Sequence, residues 1–233
     1  MKNDYISVII PVYNSYYSIE EVVERIFEIL NQEELRFEII LVDDFSTDNS
    51  SIKLKELNKK DVKIKTISLT KNYGQQGAIK YGMNMANGNL IITMDDDLEH
   101  QPEDIMLLIK EIKKGYDVVY AIPNNKKYPF YRKLGSRLVD AFFTLCLHKP
   151  KNIKVSSFRI IDQEIVGKVL QDETPYVYIT AIILKFTKKI GNVYVNHVDR
   201  KYGKSNYNIR KLISLFTKLF FYYGVKTNKK SDG

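Results

Sequence analysis

Over the first half of the chain, short β-branched apolar runs alternate with stretches of helical period. Ile6-Ser7-Val8-Ile9-Ile10 lies in a predicted strand, Tyr5–Pro11. A helix follows, in which Ile19, Val22, Val23, Ile26, Phe27 and Leu30 recur at the spacing of one helical face. Ser18 stands as its N-cap with Glu21 three residues on, the spacing of a capping box. Further strands are predicted over 37–42, 62–69 and 90–94, with helices over about 48–59 and 75–86. Pro102 opens another helix, which Gly115 stops. Strands alternating with helices predict an α/β fold, a mostly parallel Rossmann-like sheet flanked by helices.

The second half is less regular. Strands are predicted over 116–121, 155–161 and 190–197, and helices over about 130–147, 162–170, 176–187 and 208–223. The last helix is amphipathic. Leu212, Ile213, Leu215, Phe216, Leu219, Phe220, Tyr222 and Tyr223 make a broad apolar surface, flanked by Arg210, Lys211, Lys218 and Lys226. It suits either a membrane surface or packing on the domain itself or on a second subunit. The polar end, 226–233, is expected to be disordered.

In an open α/β sheet, ligands sit at the carboxyl ends of the strands. The unusual residues collect there. Pro11-Val12-Tyr13-Asn14 follows the first strand and Asp43-Asp44-Phe45-Ser46-Thr47-Asp48 the second. Asp95-Asp96-Asp97 follows the fourth. Three adjacent carboxylates repel one another and call for a cation. If the strand's alternation continues, Asp95 and Asp97 converge as hard oxygen ligands for Mg²⁺ or Mn²⁺, and Glu99 is next in the alternation. Asp43 or Asp44 can accept the imide N–H of a uracil or thymine, or hold ribose hydroxyls, while Asp48 caps the helix that follows. The loop Asn72-Tyr73-Gly74-Gln75-Gln76-Gly77, ahead of a helix, can approach a phosphate closely.

Charge sharpens the picture. The 233 residues carry a net +8, unevenly placed. Residues 1–116 hold 14 Lys and Arg against 20 Asp and Glu; residues 117–233 hold 22 against 8. The basic half invites a phosphate-rich or anionic partner. No apolar run reaches the length of about 20 residues that spans a bilayer. The start lacks a signal-peptide pattern, so a cytoplasmic protein is expected, at most peripheral at the inner face of the membrane. The single cysteine, Cys146, lies in an apolar run and is expected to be a buried thiol.

Seven segments in order resemble one family. They are Pro11-Val12-Tyr13-Asn14; Val42-Asp43-Asp44-x-Ser46-x-Asp48; Asn72-x-Gly74-x-x-Gly77-Ala78; Gly82 to Gly88; and Met94-Asp95-Asp96-Asp97-Leu98-x-His100-x-Pro102-Glu103. Ser157-Phe158-Arg159 and Arg200-x-x-Gly203-x-Ser205-x-Tyr207 complete the set. Together they resemble the inverting family 2 glycosyltransferases of GT-A fold, in the dolichyl-phosphate-mannose-synthase-like branch that includes bacterial polyprenyl-phosphate glycosyltransferases. The resemblance covers about residues 5–210, with 1–116 as the nucleotide-sugar half and 117–207 as the acceptor and phosphate half.

The resemblance implies roles. Pro11, Tyr13 and Asp43 or Asp44 would cradle the nucleotide, and Asn14, Asn72, Gly77 and Ser205 join both aspartates among the substrate-binding residues. Asp95 and Asp97 would hold the metal, with Glu99, where the family usually has Gln, as a further ligand. Arg132, Arg159 and Arg200 would serve phosphate oxygens as guanidinium forks. Phe45 stands where the family usually has Gly. Asp97 and Arg200 would stabilise the leaving group, and a hydroxyl acceptor would need a base, for which Asp96 or Glu99 is nearest. A phosphate acceptor needs none. The expected partners are a nucleotide-sugar donor and a polyprenyl-phosphate or lipid-linked saccharide acceptor, in surface glycan synthesis. Competing readings are weaker. A nucleotidyltransferase wants a Gly-rich basic loop after the first strand, and a nucleic-acid-binding module leaves the acidic cluster unexplained. No G-x-G-x-x-G follows the first strand, which speaks against a dehydrogenase.

Overall fold

A computed structural model describes residues 4–124, 130–196 and 209–224. Its frame is a seven-stranded sheet in the order β3-β2-β1-β4-β6-β5-β7. The strands are β1 (Tyr5–Val12), β2 (Arg36–Asp43), β3 (Ile64–Ser68), β4 (Leu90–Thr93), β5 (Val118–Pro123), β6 (Arg159–Asp162) and β7 (Ile190–Val195). The first four pair in parallel, β5 pairs in parallel with β7, and β6 runs antiparallel between β4 and β5. The helices are α1 (Ile19–Gln32), α2 (Ser50–Lys60), α3 (Gly74–Met85), α4 (Ile105–Ile112), α5 (Phe130–Cys146), α6 (Gln163–Gln171), α7 (Ile179–Phe186) and α8 (Ile209–Leu219). A 3₁₀ turn at Pro102–Asp104 leads into α4, and a π-type turn, Phe220–Gly224, extends α8.

Both faces of the sheet are covered, which is why its strands read as unbroken apolar runs. Ile6, Val8, Ile10 and Val12 of β1 pack with Ile19, Val22 and Ile26 of α1 and with Leu108 and Ile112 of α4. Ile9 and Ile91 face the other way, into a core with Ala78, Ile79 and Met83 of α3, Val166 and Val169 of α6, Ile182 and Ile183 of α7, and Phe143 of α5. The period-2 alternation of β1 thus feeds two separate cores.

Several local expectations are corrected. Ser18 is the N-cap of α1, but its hydroxyl makes no cap bond and donates to the Ser15 carbonyl at 3.3 Å. The capping box therefore lacks its Ser18 half. The strand expected over 155–161 forms only at Arg159–Asp162, because Ser156 and Ser157 turn to meet the end of β4. Cys146, at the last position of α5, is exposed instead of buried. The expected tail, 226–233, lies outside the described residues.

One close approach sets the site's geometry. A Cβ on Gly82 would stand 2.4 Å from Ile9 Cγ2 and 3.2 Å from Val42 Cγ2. Its absence lets α3 lie directly on β1 and β2, and so carries the start of α3 to the carboxyl edge of the sheet. Overpacking of this kind costs about 1–3 kcal/mol. Gly82→Ala is therefore expected to lower the melting temperature by several degrees in thermal denaturation, and an unchanged melting temperature would refute the tight α3–sheet contact.

Candidate active site

The carboxyl ends of β1, β2, β3 and β4 share one edge of the sheet. The loops that leave them are stapled to one another. Asn14, at φ +57°, accepts from Thr47 N (2.8 Å) and Asp48 N (3.4 Å), and its own N–H donates to Ser46 Oγ at 3.1 Å. Ser15 N donates to Ser50 Oγ at 2.8 Å. Asp48 Oδ1 accepts from Ser50 N at 2.9 Å, the turn that starts α2. Asn14, expected to touch substrate, thus spends its side chain on joining two loops.

The acidic pair after β2 is buried. Asp43 accepts from Ser46 N at 2.9 Å and Asp44 from Tyr73 N at 2.7 Å. Burial drives the Asp44 carboxyl above its usual range, and the charge of Asp43 adds to this, against the N–H groups of Tyr73 and Gly74. Asn72 bridges the same loops, donating to the Asp44 carbonyl at 3.1 Å and accepting from Gly74 N at 3.1 Å. Phe45 sits at φ +65°, a conformation that glycine takes without strain. It is half exposed, as are Tyr13 and Tyr73. These three aromatics stand out from the loops around the Asp pair and offer flat surfaces for a nucleobase. Pro11 is buried within β1, so only its backbone and the residues after it face the edge. A Cβ on Gly77 would come within 2.7 Å of Tyr73 Cβ, so its smallness serves the packing of Tyr73.

The acidic trio departs from the expected alternation. Strand β4 stops at Thr93, and the chain then bends, with Leu98 at φ +61°. Each carboxylate takes its own direction. Asp95 Oδ1 accepts from Gln75 Nε2 at 2.5 Å and Oδ2 from Ser157 Oγ at 2.8 Å. Asp96 turns toward the β1 loop, accepting from the Ser15 hydroxyl and from Tyr13 N (3.3 Å). Asp97 accepts from Glu99 N at 3.0 Å. Among the described residues no group of three or more His, Cys, Asp or Glu side chains is arranged to hold a metal, so Asp95, Asp97 and Glu99 do not form a closed three-ligand set.

Electrostatics nonetheless suit a cation. Burial drives the Asp96 carboxyl up, and the flanking charges of Asp95 and Asp97 drive it further, to about 7, against the Ser15 and Tyr13 hydrogen bonds. Crowded hard oxygen donors of this kind fit a divalent ion that takes one or two protein carboxylates and completes its shell with substrate phosphate.

The arginines divide. Arg159 begins β6 and is buried. Its Nη1 donates to Thr180 Oγ1 at 2.9 Å and its guanidinium lies 5.9 Å from the centre of the Tyr120 ring. It braces β6 against α7, and its Nε and Nη2 have no hydrogen-bond partner. Arg132 lies on the first turn of α5 and its side chain falls outside the described part; Arg200 and Ser205 lie outside the described residues altogether. Sequence reasoning missed Tyr73, Gln75, His100 and Ser157 as site residues. The positions of all four within matched segments were the available signal.

The profile of glycosyl transferase family 2 matches residues 7–170. The chain belongs to glycosyl transferase family 2. Among the relatives of this family 2 chain, the undecaprenyl-phosphate 4-deoxy-4-formamido-L-arabinose transferase of Proteus mirabilis (strain HI4320) is 36% identical over 211 residues, covering 90% of this chain and 65% of that protein. The protein of the same description from Photorhabdus laumondii is 35% identical, with the same coverage. The chain thus spans about 65% of the length of these curated relatives. Among solved structures, the glucosyl-3-phosphoglycerate synthase of Mycobacterium tuberculosis in complex with Mn²⁺, UDP and phosphoglyceric acid superposes with a TM-score of 0.73 at 14% identity, covering 97% of this chain and 81% of that one. That likeness establishes the GT-A fold.

The raised Asp96 carboxyl has a measurable sign. An Asp raised in the folded state contributes stability at low pH and loses it as pH climbs from the ordinary 3.8 to about 7. Asp96→Asn removes that loss. Its stability relative to the unsubstituted protein should therefore be greater at pH 8 than at pH 5, by roughly 2–3 kcal/mol in metal-free denaturant titrations. An equal difference at the two pH values would show that Asp96 stays ionised throughout.

Proposed function

We propose that this family 2 chain transfers a sugar, with inversion, from a nucleotide-diphosphate donor to a polyprenyl-phosphate or lipid-linked saccharide acceptor in surface glycan synthesis. The observation that carries this reading is the juxtaposition at one sheet edge. An aromatic-walled loop cluster, Tyr13, Phe45 and Tyr73 around Asp43 and Asp44, stands beside the carboxylates of Asp95–Asp97. The first suits a nucleoside and the second suits the diphosphate that follows it. The names of the Proteus and Photorhabdus relatives support a polyprenyl-phosphate acceptor.

Asp95 and Asp97 are the residues that would hold a bound Mg²⁺ or Mn²⁺, with Glu99 within the same loop. Such an ion supplies Lewis-acid stabilisation of the negative charge that builds on the departing diphosphate. The chain's own part is positioning and charge. Tyr13 and Phe45 give faces for the base, and the buried Asp43 and Asp44 fix the loops that present them. Arg200 and Arg132 would take phosphate oxygens from the basic second half. A phosphate acceptor arrives ionised and needs no base. With a hydroxyl acceptor, Asp96, held near 7, has a proton affinity suited to general-base work.

Binding at a membrane surface accords with the second half. Among the described residues no helix is long and apolar enough to cross a membrane. Helices α5 and α8 pack where Gly135 meets Leu212. Both leave large apolar side chains exposed: Leu138 and Leu145 on α5, Ile213 on α8, and Phe220 and Phe221 just beyond it. Apolar side chains on a strongly basic half match an anionic leaflet.

Two measurements test these readings. Melting curves with UDP-, GDP- and dTDP-sugars, with and without Mn²⁺, should show a metal-dependent rise of several degrees for one nucleotide class, lost in Asp97→Ala. No rise with any nucleotide would sink the donor site. In flotation with vesicles, the unsubstituted protein should bind vesicles containing anionic lipid and not neutral ones, and Phe220→Ser with Phe221→Ser should bind several-fold less. Binding that ignores both lipid charge and these substitutions would remove the membrane contact.

A further inference from the structure

His100 is the one histidine buried in the described structure, and its Nδ1 has no hydrogen-bond partner. A buried polar atom left unpaired costs about 1–3 kcal/mol. Its ring lies against Phe158, with centroids 5.2 Å apart and planes at 34°. Its Nδ1 faces Asp95 Oδ2 at 3.7 Å, too far for a hydrogen bond. The same Oδ2 accepts from Ser157, the residue before Phe158, and the other oxygen of Asp95 accepts from Gln75. Leu98, buried at φ +61°, makes the turn that brings His100 back toward Asp95. A non-glycine residue in that conformation is uncommon and is retained where surrounding structure holds it.

We propose that His100 is a positioning residue that acts with Gln75 and Ser157 to hold the Asp95 carboxylate in the orientation a divalent cation requires, its Nδ1–H closing onto Oδ2 when the cation is bound. The proposal rests on the reading of Asp95 as a metal ligand. A carboxylate has about four lone-pair directions. Gln75 and Ser157 occupy two and His100 would take a third, which leaves one for the metal. Three different elements then fix one carboxylate: the start of α3, the lead into β6, and the loop after β4. Groups that orient a metal ligand in this way typically contribute 10–100-fold to metal affinity. The role requires a proton on Nδ1.

The test is Mn²⁺ alone, titrated into the full chain and followed by the electron paramagnetic resonance signal of free Mn²⁺. Melting curves on each variant establish that it is folded. His100→Phe keeps the ring on Phe158 and removes the N–H. His100→Asn removes the ring and keeps a donor near the position of Nδ1. Ser157→Ala removes one hydroxyl and perturbs packing least. The expected result is Mn²⁺ affinity weakened 10–100-fold in His100→Phe and about 10-fold in Ser157→Ala, with His100→Asn within about threefold of the unsubstituted protein. Unchanged affinity in both His100→Phe and Ser157→Ala overturns the proposal. So does a loss in His100→Asn equal to that in His100→Phe, because the ring's packing would then be what matters. If the unsubstituted protein binds no Mn²⁺ at millimolar concentration, the metal reading of Asp95 falls together with the proposal. If it binds and the variants match it, the proposal falls alone.

Discussion

Repulsion among Asp95, Asp96 and Asp97 is the constraint around which the carboxyl edge of the sheet is organised. Three carboxylates on consecutive residues cannot all be ionised in a half-buried place without compensation. Compensation comes from several directions. Asp95 is neutralised in part by donors from Gln75 and Ser157, Asp96 by Ser15 and Tyr13 N–H, and Asp97 by a backbone N–H in its own turn. These donors come from the loop after β1, the start of α3, the loop after β4 and the lead into β6, segments far apart in sequence. The carboxylates therefore tie the site together as much as the site holds them. Burial, with the adjoining charges of Asp95 and Asp97, still drives the Asp96 carboxyl up to about 7.

The antiparallel strand β6 makes this possible. A purely parallel sheet would bring a helix, not a strand start, beside the end of β4. Because β6 runs the other way, its first residue, Arg159, pairs with Thr93 at the last position of β4. Ser157 thus arrives beside Asp95, and Thr93 Oγ1 donates to the Ser157 carbonyl at 2.6 Å to fix it. One register sets both. Behind them, Arg159 is buried with no ion pair among the described residues, costly by itself. Its hydrogen bond to Thr180 ties the edge of the site to the first turn of α7.

Most of the fold could be read from the chain because the first half obeys local rules. Strand β1 and helix α1 were legible from their periods, and their bounds fall within a residue or two of expectation. The residues that end the strands were legible as chemistry, since an acidic run after an apolar strand has few structural uses. Directions of side chains were not. Asp95 and Asp97 were expected to converge by alternation, which holds only while the strand continues, and β4 ends at Thr93. Likewise Asn14 and Asn72 belong to matched motifs, yet their side chains bond to neighbouring loops. Such cross-loop bonds join residues 28 to 33 positions apart, beyond any periodicity. The antiparallel entry of β6 had no local signal either, because a four-residue strand carries no orientation in its sequence.

Side-chain acceptors hold the loops at the carboxyl edge of the sheet. Asn14 holds Thr47 and Asp48, and Asp44 holds Tyr73, each across to the neighbouring loop, while Asp43 holds Ser46 within its own. The anchors are made to backbone N–H groups, those of Asp43 and Asp44 from buried carboxyls and those of Asn14 from an exposed amide. Phe45 shows the consequence. It stands in a left-handed position that glycine would fill without strain, and the anchoring bonds of Asp43 and Asp44 on either side of the turn hold it there. An aromatic ring is thereby presented where a glycine would leave open space. The backbone of these loops is thus fixed by side-chain hydrogen bonds, and the ring of Phe45 is left half exposed beside them.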